Sequence, residues 1–146
     1  MQGRLAIALF ALCVVAHWPY GHTDFVYDDV DFVQGNASLR SFATALPAML
    51  APFPPEQPER GLYRPLVTLA YALQFAAFGE NPRGYHVVNT LLYALLALLV
   101  YALAREYFGA GGLAFAAALL FASHPVHTDA VDALAGLSEL LALGLV

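Results

Sequence analysis

Three clusters of polar side chains interrupt an otherwise apolar chain, and each contains residue types that can do chemistry. The first is the run HTDFVYDDVDFVQGN, residues 22–36, which holds Asp24, Asp28, Asp29 and Asp31. A carboxylate of suitably tuned acidity can take the proton from an acceptor hydroxyl. A pair of carboxylates can also hold a hard cation such as Mg²⁺ or Mn²⁺. Asp28 and Asp29 are the candidates for either task, held near a helix end by Phe25, Val26 and Tyr27. The plain alternative is a hydrated loop that helps to retain topology.

The second cluster joins Arg64 to His86, Asn89, Thr90 and Tyr93. The last four fall at i, i+3, i+4 and i+7, one stripe of a helix. Polar groups at membrane depth face a bundle interior or a wet cavity, so one reading of the stripe is interhelical hydrogen bonding. The other is substrate binding, with Arg64 and His86 on a lipid-linked phosphate and Asn89 beside them. The planar fork of Arg suits the phosphate oxygens. The third cluster is SHPVHTDAVD, with His124, His127, Asp129 and Asp132. Such a donor set can bind a transition metal or touch substrate. Its spacing equally fits capping, with Thr128 or Asp129 as N-cap and Asp132 favouring the positive end of the next helix. NAS at Asn36–Ser38 matches a glycosylation acceptor, a tripeptide common by chance.

The elements that must position these groups follow from composition. Of 146 residues, 60% are hydrophobic and only 12% charged, with mean hydropathy +0.64. An ordinary soluble domain carries about 25% charged residues, so the chain reads as an all-α multispanning membrane protein in contact with membrane lipids. Its net charge of −5 argues against nucleic acid as a partner, which would call for a basic patch. Cys13, the single cysteine, supports neither a disulfide framework nor a thiolate metal site.

The spacing of apolar segments divides the chain into 1–21, a first membrane helix, and 22–84, an extracytoplasmic loop with the acidic run and an interfacial helix. A second membrane helix over 85–107 and a third over 108–123 follow. The remainder, 124–146, is an extracytoplasmic motif and the start of a fourth helix. The N-terminal apolar segment also fits a signal peptide, but the further spans favour an uncleaved helix. The four prolines of LAPFPPEQPERG exclude a continuous helix there. Pro65 suits a first helical position and Gly79 closes that helix, which at about 15 residues is short for a span. Arg4 and Arg105 mark cytoplasmic ends, which puts the acidic run and HPVHTDA on one outer side. Arg-only cationic usage with abundant Ala and Leu suggests a bacterial protein, hence an inner membrane with the N-terminus in the cytoplasm.

Taken together, FVYDDVDFVQGN, YRPLVTLAYALQFAAFGENPRGYHVVNTLLYAL and HPVHTDAVDALAGLSELLA resemble the N-terminal region of a known family. It comprises multispanning glycosyltransferases with C-terminal tetratricopeptide repeats, of the transmembrane O-mannosyltransferase type, with their bacterial relatives. The YDD, YRPL, GYH-x-x-N and HP-x-HT-[DE]-AV elements are weak singly and specific together, and they cover nearly the whole chain in order. The resemblance implies a GT-C-type helical bundle whose long first extracytoplasmic loop contains short surface helices. It implies transfer of a sugar, mannose by the family's name, from a polyprenyl-phosphate-linked donor to a protein or other outward-facing acceptor. It implies that Asp28 and Asp29 serve the acceptor, that Arg64 and His86 lie near the donor phosphate, and that His124, His127 and Asp129 stand at the rim. A divalent cation is compatible with the carboxylates. Relatives often carry His where this chain has Tyr93, and Arg after the Gly where it has Leu137, which bears on the donor.

The sequence therefore reads as an N-terminal fragment of a glycosyltransferase, inactive alone because a closed cavity needs more helices. The competing reading is a non-catalytic membrane scaffold or assembly subunit whose polar residues only pack helices. A transporter ranks below both, since no span is broken by Gly or Pro at mid-membrane.

Overall fold

The computed structural model describes residues 2–19, 24–109 and 111–145; Tyr20 and His22 of the sequence motifs lie outside them. Seven α-helices are present among the described residues: α1 (Gln2–His17), α2 (Phe42–Ala48), α3 (Pro65–Phe78), α4 (Pro82–Phe108), α5 (Gly111–Ala122), α6 (Thr128–Asp132) and α7 (Leu137–Leu145). The described residues contain no strand, only an isolated bridge between Phe53 and Leu62. The protein is all-α, as composition and periodicity indicate.

The helix limits have local causes. α3 begins at Pro65, whose missing N–H costs nothing at a first helical position, and ends where Gly79 adopts φ +59° and donates to the Phe75 carbonyl. α4 starts three residues before the expected Tyr85, because Asn81 Oδ1 accepts the Arg83 N–H at 3.2 Å and Pro82 follows the cap. It ends at Gly109, left-handed at φ +67°, which donates to the Arg105 carbonyl. Its 27 residues make it the one described helix long and apolar enough to cross a membrane. α1, with 16 residues, and α5, with 12, are shorter than the roughly 20 residues that a perpendicular span needs.

α1 and α5 pack on α4 over a core of small residues. Ala94, Ala97, Ala114 and Ala118 are fully buried beside Leu9, Cys13, Tyr93 and Tyr101. Alanines at these contacts let the helix backbones approach closely. A second core lies at the other side of the α3–α4 hairpin. There Phe32, Val33, Leu39, Phe53, Tyr71, Tyr85, Leu134 and Leu137 enclose the loop after the acidic run. The Tyr85 hydroxyl donates to the Gly79 carbonyl at 2.8 Å and locks the hairpin turn.

Polar side chains of α4 tie the ends of three other helices together. Thr90 Oγ1 donates to the His17 carbonyl at the end of α1, at 2.9 Å. The Tyr93 hydroxyl reaches the Phe121 and Ala122 carbonyls at the end of α5, at 3.3 and 3.2 Å. Asn89 Nδ2 donates to the Ala133 carbonyl that closes α6, at 3.1 Å. The last carbonyls of a helix have no partner within it, so the stripe answers a need that every helix end has. It also brings the C-termini of α1 and α5 beside the N-terminal half of α4, making both antiparallel to it.

The link Leu134–Gly136 between α6 and α7 is pressed against α6. A Cβ added at Gly136 would lie 2.2 Å from the Ala130 carbonyl oxygen, a backbone atom that cannot swing aside. Gly136→Ala is expected to destabilise the fold by about 2 kcal/mol or more, seen as a lowered thermal midpoint by circular dichroism in detergent. Gly3→Ala, where nothing lies within 4 Å, should leave the midpoint unchanged or slightly raised.

Candidate active site

The acidic run is a turn followed by a short π-type helix, Val30–Gln34. Its two adjacent aspartates have different fates. Asp29 is only 1% exposed. Its Oδ1 accepts the Ala135 N–H at 2.8 Å, and its Oδ2 makes a long contact with the Val26 N–H at 3.5 Å. The carboxylate thus bolts the acidic run to the α6–α7 link, across 106 residues of sequence. Asp28 is exposed and pairs with Arg60 Nη1 at 3.0 Å; Arg60 Nη2 holds Asp31 at 2.7 Å. The Arg60 Nε also contacts Gln57, and its guanidinium lies 5.3 Å from the centre of the Phe32 ring.

Asp28 and Arg60 open onto a polar pocket of about 290 Å³. Arg64, Asp129, Ser138 and Glu139 share its walls. Arg64 stacks its guanidinium 5.7 Å from the Phe32 ring centre, and no described carboxylate pairs with it. Arg64 and Glu139 also line a second, largely apolar groove of about 440 Å³ between the start of α3 and α7, with Leu66, Leu141 and Leu145. The guanidinium therefore stands where a charged pocket meets an apolar channel.

The other predicted site residues are elsewhere. His86 lies in a smaller pocket of about 210 Å³ with His17, Trp18 and Asp132, and His17 Nδ1 is 3.1 Å from Asp132 Oδ1. Asn89 is buried and spends its amide on Ala133. His124 is exposed, and its Nδ1 accepts the Val126 N–H at 3.2 Å, so it caps the turn Pro125–His127. The N-cap expected of Thr128 or Asp129 is absent: the residue before α6 is His127, without a side-chain cap, and Asp132 ends that helix rather than starting it. The His127 ring packs 4.4 Å from Phe121 and 5.6 Å from Tyr93, ring centre to centre.

So the fold unites Asp28, Arg64 and Asp129, keeps Asp29 beneath their floor, and sends His86, Asn89, His124 and His127 to other places. Arg60 and Glu139 are pocket residues that sequence reasoning missed. Arg60 sits in a Pro-rich loop with no pattern around it, and Glu139 opens an apolar helix where it looks like an ordinary first-turn acid. Asn36 is no accessible acceptor for a glycan. It is fully buried, with Oδ1 taking the Ser38 N–H and hydroxyl and Nδ2 donating to Phe32.

The carboxylates fit a divalent cation poorly. Asp29 is committed to backbone N–H groups, Asp28 and Asp31 to Arg60, and among the described residues no three His, Cys, Asp or Glu side chains are arranged around a common point. A hard cation needs several converging oxygens.

Burial, and next the neighbouring His124 and His17, hold the His127 imidazole below the usual histidine range. The folded state therefore resists its protonation. The stability due to neutral His127 is complete above about pH 6.5 and declines as pH falls through the unfolded value. The thermal midpoint of the native chain should fall from pH 7 to pH 5 more than that of His127→Phe, which keeps an aromatic ring against Phe121. Equal slopes would remove His127 from the account.

The chain is similar to proteins named protein O-mannosyl-transferases. It is 36% identical over 152 residues to protein O-mannosyl-transferase TMTC1 of Mus musculus, across 96% of this chain and 15% of the mouse protein. Protein O-mannosyl-transferase Tmtc3 of Drosophila melanogaster is 30% identical over 160 residues, across 92% of this chain and 17% of its own. Protein O-mannosyl-transferase TMTC2 of Homo sapiens is 44% identical over 77 residues, 53% of this chain and 9% of its own. The chain thus spans about a sixth of the length of the curated relatives that it matches along most of its sequence. No protein-family model and no solved structure matches it.

Proposed function

This chain is, over nearly its whole length, a relative of the TMTC-type protein O-mannosyl-transferases, and on that premise we propose that it supplies donor and acceptor contacts of a membrane sugar transferase. The donor is a polyprenyl-phosphate-linked sugar, mannose by the relatives' names, and the acceptor is a hydroxyl of an extracytoplasmic protein. The transferase is a GT-C-type bundle in a bacterial inner membrane. α4 spans the bilayer, and the polar pocket faces outward.

One observation carries this reading: Arg64, paired with no described carboxylate, stands at the junction of a carboxylate-lined pocket and an apolar groove. A lipid-linked phosphate has that same division. Its isoprenoid tail suits the Leu66, Leu141 and Leu145 channel, and its phosphate suits a planar guanidinium with two parallel N–H donors. Asp28 then faces the acceptor. As a carboxylate it takes the proton from the hydroxyl while the hydroxyl oxygen bonds to the anomeric carbon. The bond from that carbon to the phosphate oxygen breaks, and the lipid phosphate leaves beside Arg64. Arg60 aims Asp28; Asp29 positions the pocket wall through Ala135.

Asp28→Asn is expected to lower sugar transfer at least ~100-fold, the scale of a lost general base, with an unchanged thermal midpoint. Arg64→Leu should weaken binding of the polyprenyl-phosphate donor while leaving the fold intact. Wild-type turnover in Asp28→Asn, measured with radiolabelled donor, would remove Asp28 from the chemistry. Undiminished donor binding by Arg64→Leu would move the phosphate elsewhere.

A further inference from the structure

The stripe that ties helix ends to α4 also builds a second polar pocket. Thr90 holds the His17 carbonyl at the end of α1, and Asn89 holds the Ala133 carbonyl at the end of α6. His86 lies one turn before Thr90 on the same face of α4. It therefore meets the chain as it leaves α1, at Trp18, and meets Asp132 beside Ala133. With Ala16, His17 and Pro19, these residues line a pocket of about 210 Å³, room for one sugar ring. Asp132 Oδ1 and His17 Nδ1 are 3.1 Å apart. A carboxylate only accepts, so His17 donates through Nδ1, and Asp132 keeps its other oxygen for a further donor. None of the described hydrogen bonds uses the His86 ring; a neutral imidazole offers one donor and one acceptor. Trp18, 42% exposed, adds an apolar ring face and an indole N–H donor.

We infer that this pocket is a sugar subsite, which takes one neutral pyranose ring with its apolar face on Trp18 and its hydroxyls on Asp132 and His86. The inventory of donors and acceptors selects that chemistry. A hydroxyl both donates and accepts, as this set requires. A phosphate only accepts, and it would meet Asp132 with no Arg or Lys in the lining. An ammonium group only donates, and it would leave the imidazole and indole N–H groups unmatched. Asn89 and Thr90 already hold the three segments in place, so little ordering opposes binding. Asp132 lies one turn along α6 from Asp129, which lines the pocket of Asp28 and Arg64, so the two pockets are neighbours. The substrate class rests on the proposed sugar transfer, but the two pockets share no lining residue.

Trp18 is the only tryptophan of the chain, so its fluorescence reads this pocket alone. Titration of the native chain in lipid vesicles with methyl α-mannopyranoside should give a saturable change, with a dissociation constant on the order of 1–10 mM for so small a ligand. His86→Phe and Asp132→Asn should each weaken binding about tenfold, the scale of a lost hydrogen bond to a fixed or charged group, with unchanged circular dichroism. Glycerol, choline and inorganic phosphate should give no saturable change at the same concentrations. A flat titration with the mannoside overturns the inference and leaves Trp18 as an anchor at the membrane interface. Saturation by choline or phosphate in its place overturns it too, as does undiminished binding in both variants. A flat titration together with lost transfer in Asp28→Asn would keep the proposed function and remove only this subsite.

Discussion

Three side chains in the N-terminal half of α4 decide how the rest of the molecule is arranged. Asn89, Thr90 and Tyr93 donate to the terminal carbonyls of α6, α1 and α5. Each such bond contributes about 1 kcal/mol net, but leaving a terminal carbonyl buried without a donor costs about 1–3 kcal/mol. The stripe is therefore less a source of attraction than a filter on register. A slide of α1 or α5 by one turn would strand carbonyls in an apolar core of alanine contacts, where no water replaces the lost donor. Because all three helix ends meet α4 near one level, the loops that leave them are delivered to the same end of the bundle. That is why the acidic run and the HPVHTDA segment are neighbours, although about a hundred residues separate them.

Asp29 makes that neighbourhood rigid. A carboxylate accepting backbone N–H groups in a buried place is among the stronger hydrogen-bonding arrangements, and here it joins the acidic run to the α6–α7 link. The link also lies close against α6, since Gly136 leaves no room for a side chain beside Ala130. The adjacent Asp28 is thereby held at the pocket edge by backbone alone, before Arg60 touches it. Sequence neighbours of identical type thus divide the work: one is part of the frame, the other is presented by it.

Much of the helical frame was legible in the sequence. Pro65 and Gly79 mark the ends of α3, four prolines mark a non-helical loop, and the 3.6-residue recurrence of His86, Asn89, Thr90 and Tyr93 marks one face of α4. The hydrogen-bonding reading of that stripe matches the contacts that Asn89, Thr90 and Tyr93 make. The partners of those bonds were not legible, because helix C-terminal carbonyls carry no residue signature. Nor could the spacing of Asp28 and Asp29 tell which is buried: that depends on Ala135, a residue without chemistry of its own. Capping at the start of α6 was misassigned for a related reason. Pro125 forces a short 3₁₀ turn before the helix, so the cap moves upstream to His124. Arg60 carries no such signature, because a proline-rich loop has no periodicity from which to infer a direction.

The charges of the pocket also constrain where a ligand can lie. Asp28, Asp129 and Glu139 bring three carboxylates, and Arg60 and Arg64 bring two guanidinium groups. Arg60 already faces Asp28 and Asp31, so it adds little field for an incoming anion. Two like charges about 4 Å apart in a partly screened site repel by about 4 kcal/mol. On the proposed reading, a phosphate drawn toward Asp129 or Glu139 pays that penalty, and one beside Arg64 gains instead. On that reading the donor phosphate sits against Arg64, clear of Asp129 and of Glu139, which lines the pocket and the apolar groove alike. The remaining carboxylate-lined side is left to neutral hydroxyl groups, which carboxylates accept from without repulsion. On the proposed reading, charge placement and the shape of the groove favour one orientation of the two substrates, with the acceptor hydroxyl at Asp28 and the leaving phosphate at Arg64.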